Sequence, residues 1–135
     1  MAIELSYNLH TDYLEVRLKG TRSPQLEYEE SQILWKRIFG LCMKYGHKKV
    51  LVQLDIRGRI PMRARIHYAF TMEEMGWQKQ YKVAGVTLND QVDNDVRIVE
   101  RFANKVGYEV KVFSNKVVAM DWLLNNQIEL ETRII

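Results

Sequence analysis

The sequence predicts an α/β domain built on a single mixed sheet, with elements in the order β-β-α-β-α-β-α-β-α. Three observations carry this expectation. Two runs alternate strictly between apolar and polar residues, Ile3 to Leu9 and Leu14 to Lys19, and only a short polar turn separates them. Two other runs, Val50-Leu51-Val52-Gln53-Leu54 and Val83-Ala84-Gly85-Val86, are almost continuously apolar, as strands covered on both faces are. Between and after these runs, apolar residues recur in steps of three and four, the period of a helix.

The elements follow in order. Ile3, Leu5, Tyr7 and Leu9, then Leu14, Val16 and Leu18, flank His10-Thr11-Asp12, so the chain opens on an antiparallel hairpin that ends at Gly20. Ser23 followed by Pro24 has the form of a helix start, a capping hydroxyl with proline in the first turn. Leu34, Ile38, Leu41, Cys42 and Tyr45 continue that helix to Gly46. After the Val50 strand, Pro61 opens a second helix, with Met62, Ile66, Ala69, Met72 and Met75 expected on its buried face. A third helix follows the Val83 strand. In it Val92, Val96, Val99, Ala103 and Val106 form one stripe, and Asp90, Asp93 and Asp95 suit its amino end. Tyr108, Val110 and Val112 alternate as a last strand, and Lys116–Leu124 form a short helix that carries Trp122.

Strands joined through helices should pair in parallel by crossovers, which gives one domain over residues 3–126. Residues 127–135, which end on Ile134 and Ile135, are too apolar for a free tail. They are expected to be extended, adding to a sheet edge or packing on a second copy of the chain, or lying across the protein's own surface; a homodimer is expected.

Composition bounds the function. A chain of 135 residues can bury a core without disulfides or metal. Its apolar runs are too short to span a membrane, and its first residues lack the basic start of a secretion signal, so no transmembrane segment and a cytoplasmic location are expected. The single cysteine, Cys42, reads as a buried, inert thiol. Net charge is only +3, unevenly placed: −3 over residues 1–31, +8 over 32–82 and −2 over 83–135. A basic middle between acidic flanks does not point to nucleic acid.

No enzyme motif is present. His10, His47 and His67 share no helix face, so they do not read as metal ligands. Ser6, Ser23, Ser31 and Ser114 lack a nucleophile context, and Gly58 alone does not make a dinucleotide loop. No cofactor is expected.

One segment stands apart, Asp55-Ile56-Arg57-Gly58-Arg59-Ile60-Pro61-Met62-Arg63-Ala64-Arg65. It leaves the carboxyl end of a buried strand, where α/β sheets commonly bind ligands, and enters a helix. Four arginines and a helix amino terminus favour an anion there. Asp55, Arg57, Gly58, Arg59, Arg63 and Tyr68 are therefore the candidate ligand or partner site. The plainer reading is a solvated connection whose arginines pair with the acidic flanks. Tyr68, Phe70 and Trp77 either line an apolar pocket beside this turn or pack in the core.

The element order resembles that of STAS-like domains of the SpoIIAA-like branch. The resemblance is carried by the strand end Leu14-Glu15-Val16-Arg17-Leu18-Lys19-Gly20, by the strand Val50–Asp55 that ends in aspartate, and by Glu109–Asn115 leading into Ala119-Met120-Asp121-Trp122-Leu123. It implies a non-enzymatic regulatory module acting on a protein partner. The alternative is a carrier or sensor of a small apolar or acidic ligand, since related domains are associated with lipid-like molecules. Anti-sigma-factor antagonists of this family are switched by phosphorylation of a serine at the start of the helix after a central strand. The matching turn here carries Arg57, Gly58 and Arg59, and no serine lies between Ser31 and Ser114. The phospho-switch is not carried over.

Overall fold

The computed structural model describes residues 3–23, 25–88 and 90–124, with the side chains of Ala69 and of residues 90–93 outside the description. Its five strands are β1 (Ile3–Leu9), β2 (Leu14–Thr21), β3 (Lys49–Arg57), β4 (Lys82–Thr87) and β5 (Glu109–Phe113). They lie in the sheet in that same order. The hairpin β1–β2 is antiparallel, with Ile3 opposite Gly20 and Leu9 opposite Leu14. The pairs β2–β3, β3–β4 and β4–β5 are parallel.

The helices are α1 (Glu27–Tyr45), α2 (Met62–Thr71), followed by a 3-10 turn at Glu73–Met75, α3 (Asp90–Val106) and α4 (116–124). The strand period of two sorts the sheet into faces. Val16, Leu18, Val50, Val52, Leu54 and Val83 turn to α1, α2 and α3, which supply Leu34, Ile38, Phe39, Tyr68, Met72 and Ala103 to the main core. Leu51, Ala84, Val86 and Phe113 turn the other way and are covered by Ala119 and Leu123 of α4. Every residue of β4 is buried, which is why its sequence shows no alternation.

Two local expectations are corrected. α1 begins at Glu27 after Leu26, without a side-chain cap, and not at Ser23. The Arg22 amide still bonds the Arg57 carbonyl at 2.9 Å, and the Leu26 amide closes a turn on Ser23, so the chain must leave the sheet before it can coil. Pro24 lies outside the described residues. α2 turns inward on Ala64, Tyr68 and Met72, while Met62 and Ile66 are exposed. Two apolar stripes run along this helix, Met62-Ile66-Phe70 and Ala64-Tyr68-Met72, so spacing alone cannot select a face; the hydrogen bonds of Tyr68 described below do. The segment expected over 127–135 lies outside the described residues.

Helix ends match their glycines. Gly46 ends α1 in the left-handed region (φ 73°). Gly76 (φ 99°) closes the 3-10 turn, and a Cβ there would lie 3.3 Å from Cβ and Cδ2 of Phe39. Gly76→Ala is therefore expected to cost about 1–3 kcal/mol, from backbone strain and the press on a buried ring. A urea midpoint equal to wild type would contradict this.

Candidate functional site

The β3–α2 connection is tied down by a residue from far along the chain. Asp95 of α3 is fully buried. It accepts two hydrogen bonds from Arg59, Nε to Oδ2 at 2.7 Å and Nη2 to Oδ1 at 2.8 Å, and a third from the Ile60 amide at 3.0 Å. Arg65 Nη2 stands 3.7 Å away and its Nε donates to the Ile60 carbonyl at 3.0 Å. The Arg59 hydrogen bonds hold the Asp95 carboxyl below the usual carboxylate range against the opposing effect of burial, and the Ile60 amide and the Arg65 charge add to them. The Arg59 guanidinium is pushed up in turn by the same hydrogen bonds. A forked guanidinium on a buried carboxylate is a fixed bracket.

The remaining candidates separate. Asp55 pairs with Arg17 at 3.1 Å on the sheet face away from α1, α2 and α3. Gly58 has φ 96°, and a Cβ on it would come within 3.2 Å of the Arg22 Cβ, so only glycine passes there without strain. Arg57 is exposed where β3 ends. Arg63 is exposed on a groove between α1 and α2 that Tyr28, Glu29 and His67 also line. Asp55, Arg57, Gly58, Arg59 and Arg63 thus do not converge on one point.

Tyr68 leads to a different centre. Its hydroxyl reaches Oε1 of Glu27 at 2.5 Å and Ser31 Oγ at 2.7 Å. Ser31 also donates to Glu27 Oε1 at 3.0 Å, and Arg22 Nη1 lies 2.5 Å from the same oxygen. Burial, with Glu27 beside it, raises Tyr68 well above the ordinary phenol range, so it stays a hydroxyl. Glu27 is 1% exposed and the Arg22 side chain 7%. Arg22 Nε and Glu27 Oε2 find no hydrogen-bond partner among the described residues.

Arg22, Ser31 and Tyr68 also form the polar wall of a cavity of about 80 Å³ beneath α2. Its body is apolar, lined by Leu18, Trp35, Leu54, Met72, Trp77 and Val99 among others. A second chamber of about 60 Å³ shares Trp35, Leu54, Met72 and Trp77 and extends to Gly85 and Val112. Gly85 contributes to that space by lacking a side chain: a Cβ would meet Leu54 and Val112 only at 3.8 Å.

Of the aromatic residues that follow the turn, Tyr68 and Trp77 line this cavity, while Phe70 does not and is 83% exposed. Sequence reasoning passed over Arg22, Glu27 and Ser31. In the sequence Arg22 is a single basic residue before the first helix, and Glu27 is one of three acids, with Glu29 and Glu30, that suit a helix start. The available signal was Glu27 and Ser31 at i and i+4, which places both on one helix face. Burial pushes Cys42 up to about 12, consistent with an inert thiol. Among the described residues no group of three histidine, cysteine or acidic side chains could hold a metal, and no helix is long and apolar enough to cross a membrane.

No family model matches the sequence, and no curated protein is detectably similar to it. Similarity appears in three dimensions. An anti-sigma factor antagonist from Mycobacterium paratuberculosis superposes with a TM-score of 0.58 over 90% of this chain and 93% of its own, at 10% identity. A Shewanella loihica protein of the DUF3478 family, described as having a SpoIIAA-like fold, gives 0.46 over 90% and 94%, at 21% identity. Hairpin, parallel crossovers and strand order agree with the resemblance read from the sequence: this chain has the STAS-like fold of the anti-sigma factor antagonists.

Proposed function

We propose that the chain is a non-enzymatic regulatory module that holds a protein partner on the outer surface of α2 and α3. The observation that carries this reading is an uncovered apolar surface. Phe70 and Ile66, 83% and 50% exposed, border a shallow groove with Phe102, Lys105 and Val106. Contiguous apolar side chains left in water mark contact sites more often than chance exposure does. Arg63, Arg101 and Lys105 are exposed on the same two helices and Arg57 at the end of β3, so a partner with acidic flanks fits best. Arg59 and Gly58 act here by fixing the turn, through Asp95 and by passing Arg22 closely. The fold similarity to an anti-sigma factor antagonist is compatible with a protein partner.

Capture from the extract of the producing cells tests the reading. Phe70→Glu is expected to lower recovery of the partner at least tenfold, and Arg63→Glu to weaken it, with unfolding midpoints unchanged because both side chains are exposed. Asn8→Glu, on β1, should capture as wild type does. Equal recovery by all three variants would remove this surface. A second reading, a small ligand beneath α2, has its own supporting geometry.

A further inference from the structure

We infer that the two-chambered cavity beneath α2 is a binding site for a small, neutral, mostly apolar molecule with one hydroxyl-type head group. Three features point to this. The apolar body, both chambers taken together, has the size of a single ring: the chambers of about 80 and 60 Å³ adjoin at Trp35, Leu54, Trp77, Val96 and Val99, and flexible Met72 stands on both. An engineered apolar cavity of about 150 Å³ is enough to take up benzene. Ligand pockets for drug-sized molecules run to about 300–1,000 Å³, so long-chain lipids and nucleotides do not fit.

The second feature is the polar end. Among the described residues, Arg22 Nε, in the cavity wall, is a buried donor without a partner, and Glu27 Oε2 behind it a buried acceptor without one. Leaving a donor of the cavity wall unpaired is costly, and a head group that accepts from Arg22 while donating to Ser31 or Tyr68, the other polar residues of that wall, answers that need. The third is the sign of the charge. Glu27 stands beside Arg22 of the wall and already pairs with it, so a carboxylate head would meet an acid whose cation is engaged. A phenol or alcohol meets neither problem. Access would come through the outer groove between α1 and α2, which Glu27 also borders, so the Arg22–Glu27–Ser31–Tyr68 cluster is the partition between groove and cavity.

Three matched probes test the inference on the intact chain: p-cresol, toluene and 4-methylbenzoate. The readout is the indole N–H resonance of each tryptophan. Trp35 and Trp77 line both chambers, while Trp122 packs on the opposite sheet face beside Phe113 and serves as the internal control. With p-cresol, Trp35 and Trp77 are expected to shift saturably while Trp122 stays still. Toluene should bind about tenfold more weakly, the worth of one satisfied hydrogen bond. The benzoate should leave all three unmoved. Gly85→Ala, whose added methyl enters the second chamber without a clash, should weaken p-cresol several-fold. Failure of both neutral probes to shift Trp35 and Trp77 would leave water as the only occupant and overturn the site. Equal binding of toluene, or binding of the benzoate, would overturn the head-group assignment. Partner capture through Phe70 is read separately, so either proposal can fail alone.

Discussion

Glu27→Ala is expected to destabilise the fold by about 3–5 kcal/mol, the largest loss from any single polar substitution in this protein. The carboxyl group is almost wholly buried and receives Arg22, Ser31 and Tyr68 on one oxygen. Removing it leaves Arg22 as a buried charge without a counter-charge, and that orphaned cation sets the size of the effect. A domain of this size has about 5–15 kcal/mol in all, so the loss takes about a fifth of it at the least. The companion experiment separates charge from packing. Glu27→Leu combined with Arg22→Met removes both charges and keeps the volume apolar, while Tyr68 and Ser31 retain their mutual hydrogen bond. The double variant should return to within about 1 kcal/mol of wild type, since apolar replacements of buried pairs are often neutral or better. Urea unfolding measures both. A double variant as unstable as Glu27→Ala would show that the loss is not one of unpaired charge.

Asp95→Ala is the second large effect, expected at about 1–3 kcal/mol. Its main source is the Ile60 amide, buried and left without an acceptor, because Arg59 is mostly in water and its ion pair is screened. Asp95→Asn keeps an acceptor at that place and should lose less. The effect also carries a pH signature. Folding lowers the Asp95 pKa, chiefly through the Arg59 hydrogen bonds, so the folded state binds its proton less readily than the unfolded chain does. The contribution is therefore complete above the unfolded value of about 3.9 and is lost as pH falls through the lower folded value. The gap between wild type and Asp95→Ala should be constant from pH 7 to about 5 and narrow below about 4. A gap that widened in acid would contradict the assignment.

Both substitutions concern contacts that a reader of the sequence alone would pass over, and the reason is physical. The strands and α3 were legible because burial repeats along one element: Val50 to Leu54 has two covered faces, and Val96, Val99 and Ala103 share one stripe. The turn at Arg57–Arg65 was legible as unusual by its charge. Its partner was not, because Asp95 stands 36 residues beyond Arg59 and resembles its neighbours Asp90 and Asp93 in the sequence. Likewise Tyr68 could be singled out, but its contacts with Glu27 and Ser31 cross 41 and 37 residues. The face of α2 was misread for the same reason. Apolar spacing chooses a helix face only when the other faces are polar, and here Met62, Ile66 and Phe70 are exposed.

The sheet order β1-β2-β3-β4-β5 bears on how the chain reaches this state. Each strand pairs with the strand that precedes or follows it, so no pairing has to wait for a distant segment to return. At most one helix and its connections intervene between any two paired strands, which keeps the sequence separation of contacts low for a mostly parallel sheet. The order permits growth outward from the hairpin, each new strand docking on an edge already formed. Within the described residues the exception is the α4 side of the sheet: Leu51 and Ala84 are in place once β3 and β4 pair, yet stay bare until residues 116–124 arrive. Any partly folded species that lacks that helix presents a flat apolar face, and aggregation during refolding should begin there.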